Sequence, residues 1–112
     1  MNQPFVFAGD CVEESAGDGV TRRVLAHGKD LMAVEVHFEK DAVGALHSHP
    51  HTQISYVLEG EFEFEIDGVK KTVRKGDTLF KLPNVRHGCR CLRKGILLDV
   101  FTPCREDFLK KG

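Results

Sequence analysis

Four side chains that can coordinate a metal ion occur at short spacing in this sequence. His47, His49 and Gln53 lie within seven residues, and His87 follows 38 residues after His49. Side chains two or four positions apart in a strand point to the same face, so the first three can face one cavity from a nearly extended segment. Pro50 favours this geometry, because the residue before a proline is shifted away from helical backbone angles. The spacing predicts a site that His87 completes from a second strand.

Imidazole nitrogens suit several transition metals, and an amide oxygen tolerates the same ions. We therefore expect one divalent transition metal ion, with Ni, Zn, Fe and Mn all open. Spacing alone also allows a cluster of surface histidines without a metal, and a Gln53 side chain that only bonds a neighbouring backbone group. His51 has the same parity as His47 and His49, but Pro50 is expected to turn the chain there. We place His51 at the rim of the site rather than among the ligands.

Length and charge restrict the class of protein. The chain has 112 residues, which is enough for one domain, and we take 1–112 as that domain with a core over about 20–102. The net charge of -1 gives no electrostatic reason to expect nucleic acid or a membrane surface as partner. The sequence contains no apolar run long enough to span a bilayer and no secretion-signal pattern, so a cytoplasmic location is expected. The four cysteines lack the spacing of a zinc or disulfide framework and are interpreted as reduced thiols.

Alternating polar and apolar residues dominate the chain and predict strands. Met32–Phe38 and 61–66 alternate strictly, which is typical of strands with one wet and one buried face. Further strands are predicted over 19–26, 53–58, 69–73, 78–82, 88–92 and 96–101, and a helical turn over 105–109. Turns are predicted at Asp67-Gly68, Lys75-Gly76-Asp77, Lys94-Gly95 and Glu59-Gly60. About eight short strands indicate an all-β barrel or double-sheet sandwich. We also expect a homodimer, with an edge strand at Phe5-Val6-Phe7 as a candidate contact surface.

The metal-binding pattern forms part of a longer motif. It runs H-x-H-x3-Q-x6-G from His47 to Gly60, and then G-D-x5-P-x3-H from Gly76 to His87. This resembles the two-part motif of the cupin superfamily, whose members are small jelly-roll β-barrels, and the resemblance covers about residues 20–105. The chain departs from the family in having Gln53 where glutamate is common. It also has Asn84 and Asp41 where glycine is common. Asn tolerates positive φ better than other non-glycine residues, so Asn84 can make the same turn.

A narrower resemblance involves three segments, 47–51, 56–62 and 99–108. Together they are similar to the KdgF group of compact cupins, which linearise unsaturated uronates from pectin and related polymers. The resemblance implies that His47, His49, Gln53 and His87 hold a metal. It also implies that Asp99, Phe101 and Arg105 carry the reaction on a small uronate substrate.

The residues themselves are consistent with these roles. Asp99 and Phe101 are two apart on a predicted strand and share a face, where an acid can move a proton and a ring can support a sugar. Arg105 offers a planar fork that fits a carboxylate. Each residue also has another interpretation. Asp99 could be a buried acid that hydrogen-bonds the backbone of a turn, and Phe101 could simply pack in the core. Arg105 could form an ion pair with Glu106 or Asp107.

The sequence leaves two other functions open. One is a metal-dependent cupin oxygenase or isomerase acting on a different small molecule, because fold and ligands alone do not determine chemistry. The neutral Gln53 side chain weighs against it, since a neutral ligand is a poor match for redox cycling of the metal. The other is a non-catalytic sugar-binding module, which the absence of an effector segment in the sequence makes less favoured.

Overall fold

The computed structural model describes residues 4–109 and is built almost entirely of strands. A single 3-10 turn (Ala8–Asp10) precedes the sheet and one short helix, α1 (Glu106–Leu109), follows it. The strands are β1 (Glu13–Gly17), β2 (Val20–His27), β3 (Met32–Phe38), β4 (Val43–His47), β5 (Thr52–Ile66), β6 (Val69–Arg74), β7 (Thr78–Lys81) and β8 (His87–Thr102). The all-β prediction is confirmed. Within 4–109, no helix has the length and apolar character needed to cross a bilayer.

Two long strands organise the sheet. β8 pairs with β3 on one side and with β5 on the other, giving the order β1-β2-β3-β8-β5-β6, and all pairs are antiparallel. β4 pairs with the first residues of β8, and β7 pairs with the first residues of β5. The end of β4 therefore lies beside the start of β8, and the end of β7 lies beside the start of β5.

Alternation along the strands determines the core. In β3, every second residue from Met32 to Phe38 is buried, as the pattern predicts. Phe62 on β5 is fully buried, and its ring meets that of Phe38 edge to face with centroids 5.2 Å apart. Edge-to-face packing is a favoured arrangement of aromatic rings. All four cysteines are free, as expected.

Two predicted turns are wrong. Glu59-Gly60 and Lys94-Gly95 lie inside the continuous strands β5 and β8. Gly60 has a φ of 85°, and the β5–β8 register is irregular around Glu59 to Phe62. A Cβ at Gly60 would lie 2.6 Å from the Cα of Gly95, so these glycines permit the close approach of the two paired strands where their register is irregular. Glycine inside a strand signals a bulge or close approach as readily as a turn, and sequence alone does not separate the two.

The edges of the sheet also differ from the prediction. Residues 5–7 lie outside the strands, and the edge strand of the N-terminal region is instead β1. β1 and β4 escaped prediction because nearly all their residues are exposed and so lack alternation. The predicted hairpin turn is confirmed: Asp67 and Gly68 have φ of 50° and 80°, which suits the two-residue turn joining β5 to β6. The first and last three residues of the predicted 1–112 domain lie outside the described part.

Candidate metal centre and active site

Three histidines meet where β4, β8 and the β4–β5 connection converge. His47 ends β4 and faces His87, the first residue of β8, as a cross-strand pair. His49 lies in the connection between β4 and β5, with its ring centroid 4.9 Å from that of His87. One ligand atom from each of the three rings lies within 4.8 Å of the other two. The structure therefore brings together the three imidazoles that the spacing singled out.

The way they meet differs from the prediction. His47 and Gln53 belong to different strands, β4 and β5, so alternation along one extended segment does not align them. The chain bends at Pro50 and His51 between the two strands. The amide of Asn84, whose φ is 66°, donates to the carbonyl of His49 at 2.7 Å and so ties the two halves of the motif together.

Each of the three rings has a backbone carbonyl beside its Nδ1 atom. The Nδ1 atoms of His47, His49 and His87 each lie within hydrogen-bond distance of a backbone carbonyl. These carbonyls belong to Ala45, His51 and Val85, at 2.7, 3.2 and 3.1 Å. A carbonyl oxygen only accepts, so in the neutral rings of His47 and His87 Nδ1 carries the proton and Nε2 keeps its lone pair. A backbone partner on the other nitrogen is the usual way in which metal-binding histidines are oriented.

Burial keeps two of these rings neutral. Desolvation is the main cause that lowers the pKa of His87 to about 3, and the positive charge of Lys81 lowers it further. Desolvation also lowers the pKa of His49, against an opposing contribution from its hydrogen bond to Gln53. Histidine must be unprotonated to bind a metal, so this environment favours the metal-binding form.

Gln53 adds an oxygen to the cluster. Its side chain is buried, and its Oε1 lies 2.9 Å from Nε2 of His49. A neutral His49 ring cannot donate from both nitrogens, so one of its contacts, to the His51 carbonyl or to Gln53, must lack a hydrogen. A cation beside Nε2 and Oε1 removes this conflict, because both atoms then present lone pairs to it. The donor set of three imidazoles and one amide oxygen therefore fits a divalent transition metal.

Beside this cluster lies a cavity of about 460 Å³. His47, Gln53 and His87 line it together with the three residues that the sequence singled out for chemistry, Asp99, Phe101 and Arg105. The volume falls within the range of roughly 300–1,000 Å³ that is usual for small-molecule sites.

The three residues differ in how they are held. Asp99 accepts a hydrogen bond from the hydroxyl of Ser55 at 2.6 Å. Phe101 is buried, so it belongs to the core and to the cavity wall at once, and its ring centroid lies 5.7 Å from that of His49. Arg105 donates Nε and Nη2 to Asp107, at 3.3 and 2.8 Å, and its Cζ lies 4.1 Å from the centre of the Phe108 ring. The alternative ion pair with Asp107 is thus present, while Arg105 still borders the cavity.

Two further residues of the site were missed from the sequence. Ser55 is fully buried and bonds Asp99, Gln53 and Lys81. Lys81 is 2% exposed and also lines the cavity. Ser55 could have been found, since it lies two residues after Gln53 on the same strand. Lys81 could not have been found, because hydrophobicity predicts that its neighbour Phe80 faces the interior. In the structure Phe80 is 58% exposed and Lys81 is buried.

Comparison with known proteins agrees with this architecture. Residues 34–101 match the family described as Cupin domain. The pectin degradation protein KdgF of Dickeya dadantii (strain 3937) is 44% identical over 98 residues, which cover 86% of this chain and 89% of that protein. The crystal structure of an RmlC-like cupin from Shewanella frigidimarina NCIMB 400 superposes with a TM-score of 0.92 at 45% identity, covering 96% of both chains.

A solved structure of KdgF from Halomonas sp. gives a TM-score of 0.90 at 35% identity, covering 96% of this chain and 99% of that one. The sequence identity to these relatives and the share of each chain that is aligned are both high enough to establish family membership. The chain therefore belongs to the cupin family and, within it, to the group of the pectin degradation protein KdgF.

Proposed function

We propose that this protein is a metal-dependent enzyme that opens the ring of 4,5-unsaturated uronate monosaccharides to give 5-keto-4-deoxyuronate. These sugars arise when lyases cleave pectin or related polyuronates, and the KdgF relative from Dickeya dadantii is named for pectin degradation. The observation that carries the proposal is the position of Asp99. Asp99 lines the same cavity as His47 and His87 of the three-histidine cluster, so an acid–base group lies beside the candidate metal site.

The reaction requires a group that first removes and then returns one proton. Asp99 takes the proton of the anomeric hydroxyl, and the O–H electron pair forms the aldehyde C=O. The bond between C1 and the ring oxygen breaks, and its electrons stay on that oxygen as an enolate. Asp99 then delivers the proton to C4, which converts the enolate to the 5-ketone. No atom is gained or lost overall, and one carboxylate is sufficient for both transfers.

Other residues of the cavity suit an anionic sugar. Arg105 supplies a guanidinium whose Nε and Nη2 are held by Asp107, which leaves Nη1 to meet the substrate carboxylate. Phe101 offers an apolar surface for the sugar ring. When bound, the metal would supply Lewis-acid polarisation of sugar oxygens. His47, His49, His87 and Gln53 would hold it, and their neutrality leaves its positive charge available to attract an anion.

The test follows the ultraviolet absorbance of the C4=C5 enol in the monosaccharide that a lyase releases. We expect the protein to accelerate the loss of this absorbance and chelation to abolish the acceleration. Asp99→Asn keeps the shape of the side chain but removes the base, and should lower the rate by about 10²-fold or more without changing metal content. Asp30→Asn, at an exposed position, is the matched control.

Three results would contradict the proposal. The first is the absence of acceleration at any metal loading, and the second is oxygen consumption by the iron-loaded protein, which would favour an oxygenase. The third is full activity in Asp99→Asn, which would remove Asp99 as the proton carrier.

A further inference from the structure

One buried hydroxyl lies between Gln53, which contacts the three-histidine cluster, and the candidate base Asp99. The Oγ of Ser55 is 3.0 Å from Nε2 of Gln53, 2.9 Å from Nζ of Lys81 and 2.6 Å from Oδ1 of Asp99. Ser55 is fully buried and Lys81 is 2% exposed, so both groups are shielded from bulk solvent. Three polar groups of different chemistry thus converge on a single oxygen atom.

Chemistry gives each of these hydrogen bonds one direction. An amide NH2 and an ammonium group can only donate, so Gln53 and Lys81 fill the two lone pairs of the Ser55 oxygen. The single hydroxyl hydrogen is then left for Asp99, whose carboxylate accepts it. Because Oδ1 of Asp99 is occupied in this way, Oδ2 is the oxygen left to exchange a proton with a ligand.

The same bond decides which end of the Gln53 amide faces the histidines. With its NH2 group held by Ser55, its Oε1 is directed to His49. An amide turned by 180° would present two N–H donors to the cluster and could not bind a cation. We propose that Ser55, held in place by Lys81, is a positioning residue. It orients the oxygen of Gln53 toward the metal and the carboxylate of Asp99 toward the substrate. This inference rests on the proposed metal site and reaction.

The test measures Zn²⁺ affinity by competition with a chelating dye, without substrate. Ser55→Ala should weaken Zn²⁺ binding by about 10–100-fold, the usual effect of losing a partner of a metal ligand. Ser55→Thr keeps the hydroxyl and should restore near-normal affinity. Ser15→Ala, on the exposed strand β1, is the control for the replacement itself.

A second background separates orientation from general damage to the fold. In Gln53→Glu, both oxygens of the carboxylate can bind a cation, so no wrong orientation exists. Adding Ser55→Ala to Gln53→Glu should therefore change Zn²⁺ affinity by less than about 3-fold, a small fraction of the 10–100-fold usual for such a loss. An equal loss in both backgrounds would overturn the inference, as would unchanged affinity in Ser55→Ala alone. Because Zn²⁺ binding is measured without sugar, this experiment tests the role of Ser55 even if the protein does not catalyse the proposed reaction.

Discussion

At the scale of single residues, the site depends on rings that stay unprotonated. His87 is 3% exposed, and its Nδ1 is bonded to the carbonyl of Val85. This environment stabilises the neutral ring and leaves Nε2 free. Burial therefore favours the neutral form of His49 and His87, and each of the three rings has a backbone carbonyl beside its Nδ1 atom.

This predicts how the stability of the metal-free protein varies with pH. The pKa of His87 falls from 6.5 when unfolded to about 3 when folded, so the unfolded state binds more protons below pH 6.5. The contribution of His87 to the free energy of unfolding is therefore complete above pH 6.5 and is lost as the pH drops toward 3. The contribution lost between pH 7 and pH 5 is on the order of 2 kcal/mol.

Chemical denaturation of chelator-treated protein at several pH values measures this loss. His87→Asn should reduce the dependence on pH by about that amount. Equal pH dependence in the wild type and in His87→Asn would show that His87 titrates in the folded state as it does in the unfolded chain.

At the scale of elements, the close approach of the paired strands β5 and β8 requires glycine at positions 60 and 95. A Cβ at Gly60 would lie 2.6 Å from the carbonyl oxygens of Arg93 and Lys94, which are backbone atoms and cannot swing aside. Gly68 has a similar φ of 80°, but a Cβ there would meet nothing within 4 Å. These two positions separate the cost of a left-handed backbone from the cost of a collision.

Gly68→Ala should cost about 1 kcal/mol, because only the backbone preference is lost. Gly60→Ala should cost about 3 kcal/mol or more, because overpacking adds to the same preference. Urea denaturation of the two variants gives the comparison. Similar losses of stability in Gly60→Ala and Gly68→Ala would mean that β5 and β8 can move apart at Gly60 at little cost.

At the scale of the whole molecule, apolar side chains cover the outer face of β5 and β7. This outer patch consists of Ile54, Tyr56, Phe80 and Leu82, which are 40–60% exposed. Ile54 and Phe80 are cross-strand partners, so the exposed groups are contiguous. Contiguous exposed apolar surface is typical of protein contact sites.

We propose that the outer patch forms the homodimer contact expected from the sequence. Phe80→Glu should then convert the dimer to a monomer, because it places a charge in the contact. Val69→Glu changes an equally exposed apolar residue on β6, outside the patch, and should leave the dimer intact. Sedimentation velocity distinguishes the two states. A wild-type monomer, or a dimer in Phe80→Glu, would contradict this assignment.

The sequence by itself determined the strand character and the identity of the clustered side chains. Alternation over Met32–Phe38 and the Asp67-Gly68 turn are local signals, and the structure follows both. The three histidines were recognisable because their spacing belongs to a motif with little freedom to vary.

Only the tertiary structure decided how these parts meet. Local patterns describe one strand at a time, whereas the three-histidine cluster depends on the pairing of His47 with His87 across β4 and β8. Gly60 and Gly95 carry the same local signal as turn residues, and only the close pairing of β5 with β8 gives them their role. Lys81 contradicts the hydrophobic pattern of its strand because the interior there is a polar site. Its burial is determined by partners from β5, which no local signal contains.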